Sequence, residues 1–113
     1  MSKVKALFAA AGRQYKAVEI DGGTVYVGKV TVGVRARYID LIQKNDWNQA
    51  MALLVQTCTF DDDLGSRSFE DGDADLAGIM ASPTEVVDAL ARAIMSHNGM
   101  DDAADPVKDA AKN

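Results

Sequence analysis

The chain has 113 residues, 48% hydrophobic and 6% aromatic, with 12 Lys/Arg against 17 Asp/Glu and a formal net charge of −5. That length gives one domain with a mostly aliphatic core, and the acidic balance argues against a general nucleic-acid binder. The charge is unevenly placed: residues 1–45 hold eight Lys/Arg against three Asp/Glu, net +5, and residues 46–113 hold four against fourteen, net −10.

Ser2 is placed to cap a first helix, in which Val4, Leu7, Phe8 and Ala11 fall on one apolar stripe and Gly12 is the stop. Residues 15–20 and 24–30 are β-branched and aromatic, and Asp21-Gly22-Gly23 lies between them. That pattern predicts a hairpin, because glycine accepts the positive φ of a tight turn. Val18 and Ile20 share a face that Val25 and Val27 are expected to meet. Thr31 starts a helix over 33–44, with Val34, Tyr38, Leu41 and Ile42 on one side and Arg35, Arg37, Asp40 and Lys44 on the other. Asp46 and Gln49 form a capping box for a helix over 47–58, whose stripe is Trp47, Met51, Leu54, Val55 and Cys58. The short link predicts an angled helix pair.

Residues 61–75 turn acidic: a loop at Asp61-Asp62-Asp63-Leu64-Gly65, a short extended piece from Ser66 to Phe69, and a second turn at Glu70-Asp71-Gly72. Leu76, Ile79 and Met80 predict a short helix. Ser82-Pro83-Thr84-Glu85 reads as the start of a last one, with Ser82 the cap and Glu85 completing the box. Val86, Val87, Leu90, Ala91, Ile94 and Met95 form its buried face, and Asn98-Gly99 its end. The expectation is an α+β domain, mainly α-helical, over residues 1–99, with an N-terminal hairpin and four to five helices. Residues 100–113 read as a mobile acidic tail.

The residues offer little chemistry. Cys58 stands alone and in register with an apolar stripe, so it reads as core and implies a reducing compartment. His97, near a helix C-terminus, is accounted for by the helix dipole. A calcium loop begun at Asp71 would put Leu76 where the sharp-turn glycine belongs and Ser82 where the closing glutamate belongs. No phosphate-loop glycine pattern is present, and no apolar run approaches the ~20 residues that span a membrane. The expectation is therefore no catalysis, no cofactor, no metal and no membrane partner. Lone Trp47 fits core packing, with an interface anchor as the alternative.

The order of these segments resembles the tail assembly chaperones of long-tailed bacteriophages. Residues 6–13 (ALFAAAGR) are similar to the family's opening helix, and residues 24–41 (TVYVGKVTVGVRARYIDL) to its strand, T-V-G link and basic amphipathic helix. Residues 61–76 (DDDLGSRSFEDGDADL) are similar to its acidic stretch, and residues 82–99 (SPTEVVDALARAIMSHNG) to its closing helix. Val34, where the family often has an acid, and Gly65 depart from the pattern. The resemblance implies a protein of the host cell cytoplasm, absent from the mature virion, that coats the tape measure protein, keeps it soluble and helps recruit the major tail protein. It also implies a longer form of the chain made by a programmed frameshift, and no catalytic residues.

The charge split independently suggests homo-oligomers, spiral or ring, in which Arg35, Arg37 and Lys44 on one side meet Asp61, Asp62, Asp63, Glu70 and Asp71 on the other. The alternative is a small regulatory or adaptor protein that binds nucleic acid or another protein through the basic N-terminal half.

Overall fold

The computed structural model describes residues 2–100. Five helices and a three-stranded antiparallel sheet make a mixed, mainly helical α+β fold, as the sequence implies.

Helix α1 (Lys3–Ala11) starts where Ser2 accepts a hydrogen bond from the Val4 amide at 3.1 Å and stops at Gly12. Its apolar stripe covers nothing: Val4 is 55%, Leu7 67% and Phe8 75% exposed, and no residue of the helix is buried. Strands β1 (Lys16–Ile20) and β2 (Gly23–Val27) pair with Ile20 opposite Gly23. The turn is thus Asp21 and Gly22 alone, both at positive φ (49° and 81°), the geometry of the type I′ hairpin. Val18 does face Val25, whereas Val27 lies opposite Lys16.

Strand β2 ends at Val27, short of its expected end at residue 30, and the residue that follows, Gly28, is a close-approach point. A Cβ there would lie 2.6 Å from the Phe60 ring and 3.2 Å from that of Tyr15. These two rings pack edge to face at 4.8 Å, over a backbone whose Gly28 amide donates to the Cys58 carbonyl at 2.9 Å. A third strand, β3 (Thr59–Phe60), pairs with the end of β2. The segment expected to be extended from Ser66 contributes only an isolated bridge, Phe60 to Arg67.

Thr31 caps α2 (Val32–Gln43), accepting from the Val34 amide at 3.2 Å. The helix closes in a Schellman motif: Asp46 N–H donates to Leu41 at 2.9 Å and Asn45 N–H to Ile42 at 3.0 Å, with Asn45 at φ 60°. Asp46 also opens α3 (Trp47–Cys58), its carboxylate accepting from the Gln49 amide at 3.3 Å. Only that half of the expected capping box forms, because the Asp46 amide is already used to close α2. Helix α3 is the hub, packed by α2 and by both later helices. It buries residues around most of its circumference, Leu53, Leu54, Val55 and Cys58 among them, and Trp47 packs half-buried against this core.

Helix α4 (Asp73–Met80) buries only Ile79. The predicted start of α5 (Thr84–His97) is corrected by the structure: Ser82 does not cap it. Its hydroxyl donates to the Gly78 carbonyl at 2.9 Å and closes α4, so the cap position falls on Pro83, with no side-chain bond. The turn between the helices is too short for Ser82 to serve both. Leu90, Ala91, Ile94 and Met95 are buried as expected, while Val86 and Val87 are only partly covered. Helix α5 ends in a second Schellman motif, with Gly99 at φ 66° and Met100 N–H donating to Met95 at 2.7 Å. Met100 is 2% exposed. It belongs to the domain and not to the tail expected from residue 100, whose remainder, 101–113, lies outside the described residues. Among the described residues no helix is long and apolar enough to cross a membrane.

Candidate functional site

The acidic residues at 61–72 are mostly engaged in holding their own loop. Asp61 accepts from the Ser68 hydroxyl at 2.7 Å. Asp62 folds the tip, its Oδ1 accepting from the amides of Leu64 (2.9 Å) and Ser66 (3.1 Å), the local turn for which Asp is favoured. Asp71 pairs with Arg67 at 2.9 Å, and Arg67 also donates to the Gln56 carbonyl at 3.0 Å. Gln56, 3% exposed on α3, donates through Nε2 to the carbonyls of Glu70 and Gly72, both at 2.9 Å. Glu70 and Asp63 project into solvent.

Asp62 is held below the usual carboxylate range, first by the Ser66 hydroxyl and then by the backbone amides. Asp71 is held down by its hydrogen bond from Arg67, then by the charges of Arg67 and Arg37. Groups whose pKa is depressed on folding stabilise the folded state above their unfolded pKa, about 3.9 for Asp, and lose that contribution as pH falls through the lower folded value. The urea midpoint of the native chain is therefore expected to drop more steeply than that of Asp62→Asn as pH is lowered from about 5 to about 3. Parallel curves would show that the Asp62 charge does not hold the loop.

On α2, Arg35, Arg37 and Lys44 are all exposed. Lys44 pairs with Asp40 at 2.8 Å, one turn back, and this hydrogen bond and charge raise its pKa. Arg37 is close enough to Asp71 of its own chain for its charge to be felt there. Of the eight candidates, Arg35, Asp63 and Glu70 are the exposed charges whose side chains are least committed to contacts within the chain.

Three features have no clear signal in the sequence. Gln56 sits one position off the apolar stripe of its helix, so periodicity assigns it no role. Asn98 reads as a helix stop but also accepts from the Val30 amide at 2.8 Å and donates to the Gly28 carbonyl at 3.1 Å. The exposure of the α1 stripe cannot be read from its spacing, which predicts an apolar face without saying what covers it. Cys58 is a core residue, 1% exposed, with its thiol pKa pushed up by burial. His97 Nε2 donates to the Gln14 carbonyl at 2.9 Å, fixing the link between α1 and β1.

Beside α3, a groove of about 200 Å³ runs between α4 and the first turn of α5, lined by apolar Met51, Ala52, Ile79, Met80 and Val87 and by polar Asn48, Ser82, Thr84 and Asp88. Comparison with protein-family models, with curated proteins and with solved structures gives no match to any of them.

Proposed function

We propose that this chain is a tail assembly chaperone of the kind made by long-tailed bacteriophages. It self-associates, coats the tape measure protein, keeps that protein's apolar helices soluble and helps bring in the major tail protein. It works in the host cytoplasm and does not remain in the mature virion. The longer frameshifted form of the chain would be a further partner.

The observation that carries this reading is helix α1. A capped helix with Val4, Leu7 and Phe8 more than half exposed is an unsatisfied apolar surface, and such surfaces mark interaction sites. The uneven charge along the chain adds direction to encounters between copies. The nucleic-acid reading draws less support, since Lys44 is paired with Asp40 and Arg37 lies in the field of Asp71.

Co-expression with a tape measure protein tests the proposal. The client is expected to move from the insoluble to the soluble fraction only when this chain is present. A client equally insoluble with and without it would overturn the reading.

A further inference from the structure

We infer that α1 of one copy seats its apolar stripe in the groove between α3, α4 and α5 of the next copy. The inference rests on the self-association proposed above and names the surfaces that carry it. Two surfaces on one molecule are open to such a contact, one an apolar stripe and the other a groove with an apolar floor and polar Asn48, Ser82 and Thr84 in its lining. The first is the Val4, Leu7 and Phe8 stripe. The second is the groove of about 200 Å³, with Met80 48% exposed on its rim. A shallower depression continues from Met80 past Leu76 and Ala77 to Asp73, so the trough runs along α4. An apolar cavity of ~150 Å³ accommodates benzene, and the groove therefore has room for the Phe8 ring.

Charge selects a second copy as the occupant. Helix α1 carries Lys3 and Lys5 and no acid in its first turn. The trough carries Asp73 at one end and Asp88 at the other, and Arg92 engages Asp88 at 2.9 Å without covering Asp73. Position along the fold favours a neighbour over the same chain. The base of α1 is held at Gln14 by His97, the last residue of α5, whereas the groove lies at Thr84, Val87 and Asp88. At 1.5 Å per residue the groove residues of α5 lie about 14–20 Å along the helix from His97. Val4, Leu7 and Phe8 remain exposed in the chain itself, so its own groove does not receive them and both surfaces are free for a neighbour. The two patches differ, so the contact is heterologous and leaves a free helix and a free groove at the ends of every open assembly.

Sedimentation of the full-length chain and of two variants tests this. Phe8→Asp removes the inserting ring and leaves the groove intact. Met80→Asp spoils the groove and leaves α1 intact. Both sites are substantially exposed, and circular dichroism checks that each variant folds. Each alone is expected to associate at least about tenfold more weakly than the native chain, the scale set by losing one buried side chain. Their equimolar mixture is expected to form dimers and nothing longer, because only one intact helix–groove pair remains. Native-like association of either variant alone would overturn the inference while leaving self-association standing. A mixture that stays monomeric would overturn the heterologous pairing. Association unchanged in Phe8→Asp, but with client solubility lost, would overturn the inference and assign α1 to the client instead. A native chain that is monomeric at every concentration would remove the self-association itself.

Discussion

Asn98→Ala is expected to lower the stability of the domain by about 2–4 kcal/mol, the scale of several polar groups losing their partners together. One side chain holds three backbone groups: it accepts from the Val30 amide at 2.8 Å and donates to the carbonyls of Gly28 (3.1 Å) and Ile94 (2.8 Å). Two of these lie in the link between β2 and α2, so Asn98 fastens that link to the end of α5. Lys29 adds a bond from its ammonium to the His97 carbonyl at 2.8 Å. Alanine would leave the Val30 amide and the Gly28 carbonyl without these partners. Asn98→Asp should be no milder, since it keeps the acceptor but sets a carboxylate against two carbonyl oxygens. Urea unfolding followed by circular dichroism measures the effect, with exposed Ser96→Ala as a control expected within about 0.5 kcal/mol of the native chain. An Asn98→Ala midpoint equal to the control would mean that the link is held by packing alone.

The second large effect is expected at Gly28, where Gly28→Ala should cost about 1–3 kcal/mol through overpacking. The added methyl would sit 2.6 Å from Phe60 Cε2 and 3.2 Å from Tyr15 Cε1. Moving either ring disturbs the pair, which is in contact at 4.8 Å. Tyr15 has little room to move towards the loop, because its hydroxyl already lies close to Gly65, where a Cβ would be 2.8 Å away. The double change Gly28→Ala with Phe60→Leu, which supplies a smaller partner, is expected to recover part of the loss. If Gly28→Ala unfolds at the same urea concentration as the native chain, the rings yield freely and the close approach does not constrain the strand.

Both positions indicate what the sequence leaves hidden. Local signals place the hairpin and the helices well: Asp21-Gly22, the caps at Ser2, Thr31 and Asp46, and the stops at Asn45 and Gly99 each act through neighbours a few residues away. Gly28 reads as part of a continuous strand because its constraint comes from Phe60, far along the chain. Asn98 reads as punctuation because its partners at Gly28 and Val30 are equally remote. Strand β3 is two residues long, too short for an alternating pattern to register. Ser82 carries the signature of a cap for the helix that follows it, while its hydroxyl serves the helix before.

The candidate interface is legible in part. Composition identifies the charged segments, but which acids are engaged depends on side-chain partners such as Gln56 and Arg67, whose roles have no periodic signature. The stripe on α1 is plain in the sequence, and its exposure follows only from where the other helices pack. Burial of Met100 comes from the Schellman geometry at Gly99, which carries one more apolar residue back onto the core.

In the proposed function, many copies of this small domain surround one extended client. The mass of the complex purified after co-expression with a tape measure protein, measured by sedimentation, tests it most directly. Several copies of this chain per client are expected, with the number rising in proportion when the client's helical region is lengthened. A complex with one copy per client, or a number indifferent to client length, would contradict it.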